Sequence, residues 1–185
     1  MDNLQEKLKL SGTFYFKHIR NGKIIDEGTF KNKFMNEGLV YALNSAFGVP
    51  VGGAPSPVAN WYIGLSTANR TWLAGDSAET IGGSGGVAAE LEDYDEATRQ
   101  AWLPQALALT SSIELDSTGA EATFTINAAS SVYGAFIIDN NDKSGVTDAA
   151  SNILVAGSNF TNAPRSLEDE DVFKVGYILP ASSLT

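Results

Sequence analysis

Residues 13–25, Thr-Phe-Tyr-Phe-Lys-His-Ile-Arg-Asn-Gly-Lys-Ile-Ile, have the pattern of two strands joined by a tight turn. This stretch is rich in aromatic and β-branched residues, which are typical of strands. Asn21-Gly22 divides it, and this dipeptide is the strongest two-residue signal for a hairpin because both residues accept a positive φ. A second extended stretch follows, so the pattern predicts a hairpin at 13–34 within an N-terminal arm of residues 1–35.

One helix is predicted in the chain. Asn36 is a suitable N-cap, and Glu37 lies where the helix dipole favours a negative charge. Gly48 is a typical C-terminal stop. The helix therefore covers residues 36–47, and its apolar residues repeat at helical spacing: Leu39, Val40, Leu43, Ala46 and Phe47.

Beyond the helix the sequence has the pattern of a β domain. Residues 121–128 alternate between apolar and polar side chains, and Val172–Leu179 alternates almost as well. We expect a mainly β fold: an antiparallel β-sandwich or barrel-like domain over residues 36–185, with one short helix and the N-terminal β-hairpin arm. Further strands, separated by turn-rich segments, are predicted at 60–67, 111–116, 132–139 and 152–157.

Charge is unevenly distributed along the 185 residues. The formal net charge is −10, but residues 1–40 hold seven Lys and Arg against five acids, which leaves 5 bases and 17 acids in the rest of the chain. The acidic body repels phosphate backbones, so we expect no nucleic-acid binding. A positive first segment suits docking onto an acidic surface of another subunit or of a second copy. The alternative interpretation of this segment is a pair of strands that faces solvent and has no binding role for its lysines.

The sequence holds no cysteine, which excludes disulfides, thiolate catalysis and cysteine-based zinc sites. Residues 1–10 lack the apolar core of a signal peptide, and no apolar run reaches the roughly 18–20 residues of a membrane span. We therefore expect a protein that stays in the cytoplasm, or in a particle assembled there, and that does not bind membranes.

Candidate sites for metals and cofactors are weak. His18 is the only histidine, and we interpret it as an exposed or hydrogen-bonded strand residue. The glycine run 82–86 lacks the Lys-Ser/Thr of a phosphate loop. Asp139–Gly145 departs from a calcium loop because Lys143 occupies a ligand position, and Leu167–Asp171 is interpreted as an acidic turn facing water. We expect no metal, no cofactor and no catalytic residue.

A group of carboxylates keeps one enzymatic alternative open. Two acids suffice for a glycosidase, although their separation decides the mechanism and cannot be read from sequence. The same segment contains Arg99, which is expected to pair with Asp95 or Glu92. The acids of this group are Glu90, Glu92, Asp93, Asp95 and Glu96.

Several pieces of the chain, in one collinear order, resemble motifs of a widespread group of tailed-bacteriophage virion proteins, loosely called decoration, head-fibre or tail proteins. Residues 36–47 resemble its Asn-Glu-Gly-Leu helix, and residues 61–65 its Trp-Tyr-Ile-Gly-Leu strand. Residues 94–99 match its Tyr-Asp-Glu-Ala-Thr-Arg motif. The remaining similar pieces are 122–128, the Gly-Ala-Phe of 134–136 and the final strand Val172–Leu179, before which Glu170–Phe173 departs from the Gly-Asp-x-Leu of the group.

Two of these motifs share a physical feature. In each, a glycine (Gly64 or Gly134) interrupts a strand of aromatic and aliphatic residues. Such a glycine is typical of a position where another backbone approaches closely. We therefore expect the strands at 61–65 and 133–136 to be neighbours in one sheet.

The resemblance implies a non-enzymatic structural protein of a virion that is assembled in the cytoplasm of a bacterial host. The leading interpretation is a capsid decoration (cement) protein, which binds the major capsid protein and copies of itself, with a trimer as one candidate assembly, and so stabilises the head. A tail or fibre component or a receptor-binding tip is the alternative. A sugar-cleaving virion enzyme is a remote third.

The basic hairpin is the predicted contact with a neighbouring subunit. Such an arm binds by adding strands to a neighbour or through charge contacts. The aromatic residues of the hairpin also suit a role in closing the core. The predicted interface residues are Phe14, Phe16, Lys17, Arg20 and Lys23.

Overall fold

The computed structural model describes residues 10–46, 60–81, 89–105, 113–143 and 152–181. In these ranges strands predominate, together with one α-helix, α1 (Asn36–Ala46), and one 3-10 helix (Ala78–Thr80). The strands are β1 (Thr13–Arg20), β2 (Lys23–Lys31), β3 (Lys33–Phe34), β4 (Trp61–Ser66), β5 (Gln100–Trp102), β6 (Ile113–Asp116), β7 (Ala122–Thr125), β8 (Ser130–Val132), β9 (Gly134–Ile138), β10 (Leu154–Asn159), β11 (Arg165–Leu167) and β12 (Val172–Ala181).

Antiparallel pairing arranges ten of these strands in two five-stranded sheets. The first sheet has the order β2-β1-β12-β6, and β7 also pairs with β12. The second sheet has the order β3-β10-β9-β4-β5. β8 and β11 form a separate two-stranded ribbon. The expectation of a mainly β, sandwich-like fold is confirmed.

The main core takes side chains from both sheets. Alternate residues of β12, Phe173, Val175 and Tyr177, are buried in it, and Ile63 and Ile137 of the second sheet belong to the same cluster. Burial of each such side chain stabilises the fold by about 1.5–3 kcal/mol. The alternation predicted for the last strand is therefore the alternation between this core and the outer face of the first sheet.

The second sheet has buried residues on both faces. In β9, Ile137 belongs to the main core, whereas Phe136 and Ile138 belong to a second cluster with Met35 and Trp72. Every residue of β9 is buried as a result. A strand covered on both faces has a continuous apolar sequence instead of an alternating one.

α1 begins at Asn36, the predicted first residue, and residues 47–48 lie outside the described ranges. The Leu39 amide donates to the Met35 carbonyl oxygen (3.0 Å), so Met35 and not Asn36 is the N-cap residue. Glu37, in the first turn, accepts hydrogen bonds through Oε2 from the backbone amides of Ala78 (3.1 Å) and Leu154 (2.9 Å). This carboxylate therefore joins the helix to the 3-10 helix and to β10.

α1 contacts β10 through a small residue. A Cβ atom at Gly38 would lie 2.7 Å from the Cα of Val155, so only glycine allows this approach. Val40 and Leu43 lie on the outer side of the helix and are exposed. The helix therefore approaches the sheet most closely at Gly38, and two of its larger aliphatic residues are exposed.

The two glycine-containing strands are neighbours, as predicted. β4 pairs with β9, and Gly64 lies opposite Phe136. A Cβ atom at Gly64 would overlap the Phe136 ring, and one at Gly134 would overlap the carbonyl oxygen of Ser158. The close approach of a backbone is therefore found at Gly134, whereas an aromatic ring fills the space at Gly64.

Four strands, β3, β5, β8 and β11, do not follow from the sequence pattern. Each contains only two or three residues, which is too few for alternation to show. They form the two edges of the second sheet and the separate ribbon. Edge strands this short leave little backbone unpaired.

β1 and β2 form the predicted hairpin, with positive φ at Asn21 (50°) and Gly22 (72°). β1 also pairs with β12 along seven residues, from Thr13 to Ile19. Over the described residues, the predicted N-terminal arm is thus an integral part of the first sheet. Residues 1–9 lie outside those ranges.

A methyl group at position 134 should destabilise the fold. In Gly134→Ala the Cβ atom would overlap the Ser158 carbonyl oxygen on β10, so the two strands must move apart. We expect the free energy of unfolding to fall by about 1–3 kcal/mol, as measured by urea denaturation followed by circular dichroism. Gly75→Ala is the matched control, because nothing lies within 4 Å of its Cβ position. An equal loss in both variants would contradict this explanation.

Candidate subunit-binding surface

The turn between β1 and β2 lies at one end of the first sheet and is exposed. Ile24 and Ile25 follow it, with exposed fractions of 54% and 51%. The register shifts between His18 and Ile19, which leaves Ile25 without a partner residue on β1. Such a β-bulge disturbs the alternation of faces and explains why two consecutive aliphatic residues both reach solvent. Residues 21–25 are called the hairpin tip below.

A buried carboxylate fixes this end of the hairpin from the other side of β1. Asp171, directly before β12, is 1% exposed. Arg20 forms a bidentate pair with it, in which Nε donates to Oδ1 (2.8 Å) and Nη2 to Oδ2 (2.7 Å). His18 Nε2 lies 2.7 Å from Oδ2, and the amide of Glu168 donates to the same oxygen at 2.8 Å. His18 is therefore a hydrogen-bonded strand residue, one of its two expected states.

Two further ion pairs hold the strands of the hairpin. Arg165 Nε donates to Asp26 Oδ2 at 2.7 Å and ties β2 to β11. Lys17 Nζ donates to Glu121 Oε1 at 2.9 Å and ties β1 to the residue before β7. Partly buried, charge-assisted hydrogen bonds of this kind restrict the conformation of the groups they join. These ion pairs therefore hold the two strands that carry the hairpin tip against the rest of the fold.

The network favours the ionised form of Asp171. The hydrogen bonds from Arg20 lower the pKa of this carboxyl well below its ordinary value of 3.8, and the Glu168 amide and His18 act in the same direction. The hydrogen bond to Glu121 raises the pKa of Lys17. At neutral pH both ion pairs are therefore fully charged.

Of the five predicted interface residues, two lie in the core, two form ion pairs within the chain and one is exposed and unpaired within the described ranges. Phe14 and Phe16 are 0% and 3% exposed and lie in the main core, so their rings have no surface to offer a partner. Lys17 and Arg20 pair with carboxylates of their own chain. Lys23 is exposed at the hairpin tip and has no ion pair within the described ranges. The candidate contact surface is accordingly revised from the aromatic body of the hairpin to its tip.

Sequence reasoning missed the isoleucines and the burial of Asp171. Two consecutive apolar residues directly after Asn21-Gly22-Lys23 were the available signal for the bulge, because a regular strand turns one of every two residues inward. The acidic turn was interpreted as facing water, which is right for Glu168, Asp169 and Glu170 and wrong for Asp171. Nothing in the local sequence separates the fourth acid from its neighbours.

The carboxylate group at 90–96 contains a buried ion pair. Arg99 donates from Nε to Glu90 Oε1 (2.7 Å) and from Nη2 to Oε2 (2.6 Å), and both side chains are fully buried. The predicted pairing of Arg99 with Asp95 or Glu92 is therefore wrong. Burial raises the pKa of Glu90 to about 7, against the opposing effect of Arg99. A pair this deep positions the segment and is closed to solvent.

Two other carboxylates of this group also bind within the chain. Glu96 accepts hydrogen bonds from the Thr125 amide (3.1 Å to Oε2) and hydroxyl (3.0 Å to Oε1). Asp93 Oδ2 accepts one from the Ser130 hydroxyl at 2.8 Å. These contacts connect the acidic segment to β7 and β8.

The Asp-Asn-rich turn at 139–143 is held by contacts of its own. Asp139 Oδ1 accepts a hydrogen bond from the Ile153 amide (2.8 Å), and Lys143 Nζ lies 3.9 Å from the centre of the Tyr94 ring. Within the described part of the chain, no three His, Asp or Glu side chains come together in a way that would hold a metal ion. Residues 144–145 and the glycine run 82–86 lie outside that part.

Comparison with known proteins adds no relative. No protein-family model, curated protein or solved structure matches the chain significantly. The similarity to tailed-phage virion proteins therefore stays a prediction from the motifs. Within the described ranges, no helix combines the length and the apolar character that crossing a membrane requires.

Acid should weaken the fold through Asp171. Because its pKa is lower in the folded than in the unfolded state, its contribution is complete above about pH 4 and is lost as the pH falls toward the folded-state value. We expect Asp171→Asn to lower the urea midpoint at pH 7, and the gap from the unsubstituted protein to shrink between about pH 4 and pH 2. Urea denaturation at a series of pH values measures both.

Asp169→Asn is the control for this prediction, since Asp169 is an exposed neighbour in the same turn. It should leave the midpoint at pH 7 unchanged. A gap between Asp171→Asn and the unsubstituted protein that stays constant from pH 7 to pH 2 would show that the charge of Asp171 is not what stabilises this end of the molecule.

Proposed function

We propose that this chain is a non-enzymatic structural protein of a tailed-bacteriophage virion, and that it is a capsid decoration protein that bridges subunits of the head. Two lines of support meet in this proposal. The motifs resemble those of phage virion proteins in one collinear order. The fold has an exposed apolar hairpin tip whose neighbouring residues are held by ion pairs, and exposed apolar residues in a fixed position suit binding to another protein.

The observation that carries the proposal is the pair of isoleucines on the tip. Full burial of an aliphatic side chain is worth about 1.5–3 kcal/mol, and about half of the surface of Ile24 and Ile25 remains to be buried. A single contact is therefore modest. Because ion pairs of Arg20 and Asp26 hold the strands on either side of the tip, less conformational freedom is lost on association. Over many copies on a shell, such contacts raise the free energy needed to open it.

β2 also offers backbone groups to a partner. It is nine residues long and ends the first sheet in the order of the described strands. Its far end contacts the second sheet, where the Ser158 hydroxyl donates to the Lys31 carbonyl at 2.6 Å. The half of β2 near the tip is an edge to which an extended segment of a neighbour can add by main-chain hydrogen bonds.

The enzymatic alternative has less support, and the tail or fibre alternative differs in its place in the virion. A glycosidase places two carboxyl groups around the scissile bond. Three of the five acids of the group at 90–96, Glu90, Asp93 and Glu96, accept hydrogen bonds from their own chain, which leaves Glu92 and Asp95 for that role. A tail or fibre component would use the same contact chemistry as a decoration protein. Its location, and hence its copy number, is what differs.

Copy number per virion should identify a head protein. A decoration protein follows the symmetry of the shell, so we expect about one copy per capsid subunit or per capsomer. Densitometry of purified virions against the major capsid protein measures this ratio. A few to a few dozen copies per virion would contradict the decoration function and indicate a tail or fibre part.

Removal of the exposed isoleucines should release the protein from capsids without unfolding it. We expect Ile24→Ser/Ile25→Ser to lower affinity for capsids by at least about tenfold, which corresponds to about 1.4 kcal/mol. Co-sedimentation with purified capsids that lack the protein measures this change.

Leu73→Ser/Leu103→Ser is the matched control, because these leucines are 55% and 56% exposed and lie outside the hairpin. The control should bind as the unsubstituted protein does. Equal losses in the two double variants would show that the tip is not the contact.

A further inference from the structure

We infer that the hairpin tip binds an apolar recess that is rimmed by lysine or arginine side chains, and not an acidic surface. This inference rests on the proposed function, because it specifies the partner of the same contact surface. The sequence alone predicts an acidic partner surface, and the folded structure favours a basic one. The basis of this inference is the set of charges that the fold places around Ile24 and Ile25.

The acidic turn before β12 lies beside the tip. Ile19 pairs with Ile24 on one side and with Val172 on the other. Ile24 and the start of β12 are thus two strand spacings apart, which is about 10 Å. The exposed carboxylates of Asp169 and Glu170 belong to this turn. They therefore flank the isoleucines at the same end of the sheet.

The bases near the tip are largely neutralised within the chain. Arg20 pairs with Asp171 and, through Nη1, with Glu168 Oε1 at 2.9 Å. Arg165 pairs with Asp26. Residues 20–27 and 165–171 together hold three bases and six acids, a net charge of −3. The positive character of the first segment is therefore cancelled at the place where a partner would dock.

Charge complementarity then decides the partner. An acidic surface would face residues 20–27 and 165–171, whose summed net charge is −3, on a chain of net charge −10. Like charges brought together at an interface oppose association, whereas a basic rim around an apolar centre matches the tip. The spacing of about 10 Å between Ile24 and the start of β12 is comparable with the screening length of about 8 Å at physiological salt. The acids therefore act on any surface that contacts Ile24 and Ile25.

Lys23 distinguishes the two kinds of partner. It is exposed at the tip and has no ion pair within the described ranges. Against a basic rim, Lys23→Ala removes a repulsion and tightens binding. Against an acidic surface, the same change removes an attraction and weakens it.

Equilibrium binding of the full chain to purified phage capsids that lack it tests the inference. We expect the nearly isosteric Asp169→Asn/Glu170→Gln to weaken binding about fivefold and Lys23→Ala to tighten it about twofold. Both effects should shrink at about 0.5 M salt, where screening is stronger. Glu114→Gln is the control, because Glu114 is an exposed acid that pairs with Pro180 at the other end of β12.

The outcomes separate this inference from the proposed function. Binding to capsids with the opposite signs, or with charge effects no larger than the control, would overturn the basic rim and leave the decoration function standing. Binding to purified tails instead of capsids, with the expected signs, would overturn the decoration function and support the basic rim. Binding to neither particle would overturn both.

Discussion

The ion pair between the buried carboxylate of Asp171 and Arg20 fixes the position of the β1–β2 hairpin at the exposed end of the molecule. A carboxylate that is 1% exposed is stable only when its charge is paired and its oxygens accept hydrogen bonds. Its partners come from two segments that are far apart in sequence, Arg20 and His18 on β1 and the Glu168 amide before β12. Because β12 pairs with β1, β6 and β7, this constraint sets the position of the hairpin relative to the whole first sheet.

The second sheet supplies rigidity of another kind. Both of its faces are covered, and α1 approaches it closely at Gly38. On the edge of this sheet, the fully buried pair of Glu90 and Arg99 fixes the acidic segment. Breaking such a pair by removing one partner typically costs about 3–5 kcal/mol. A scaffold held in this way is expected to change shape little on binding, which suits the proposed function, in which each copy makes the same contact on a shell.

Much of the fold follows from local sequence, but the contact surface does not. Strand alternation and the Asn21-Gly22 turn are local signals, so the sandwich and the hairpin are predictable. The sequence pattern around Phe14 and Phe16 is the same whether their rings face the core of their own chain or a partner protein. The pairing of β1 with β12 places both rings in the core. The burial of Asp171 and the partner of Arg99 depend on segments brought together by folding. For the same reason, sequence assigns the hairpin a basic surface that the ion pairs of the folded chain cancel.

Hydrogen exchange at the hairpin tip measures most directly whether a braced apolar tip is the contact surface. Amide exchange of the hairpin tip, residues 21–25, is compared between the free chain and the chain bound to capsids, with the exposed residues 73–75 as an internal reference. The tip amides should exchange more slowly in the bound state, because the partner covers Ile24 and Ile25 and pairs with the β2 edge. Unchanged exchange at the tip, with protection appearing elsewhere on the chain, would contradict the assignment of this surface.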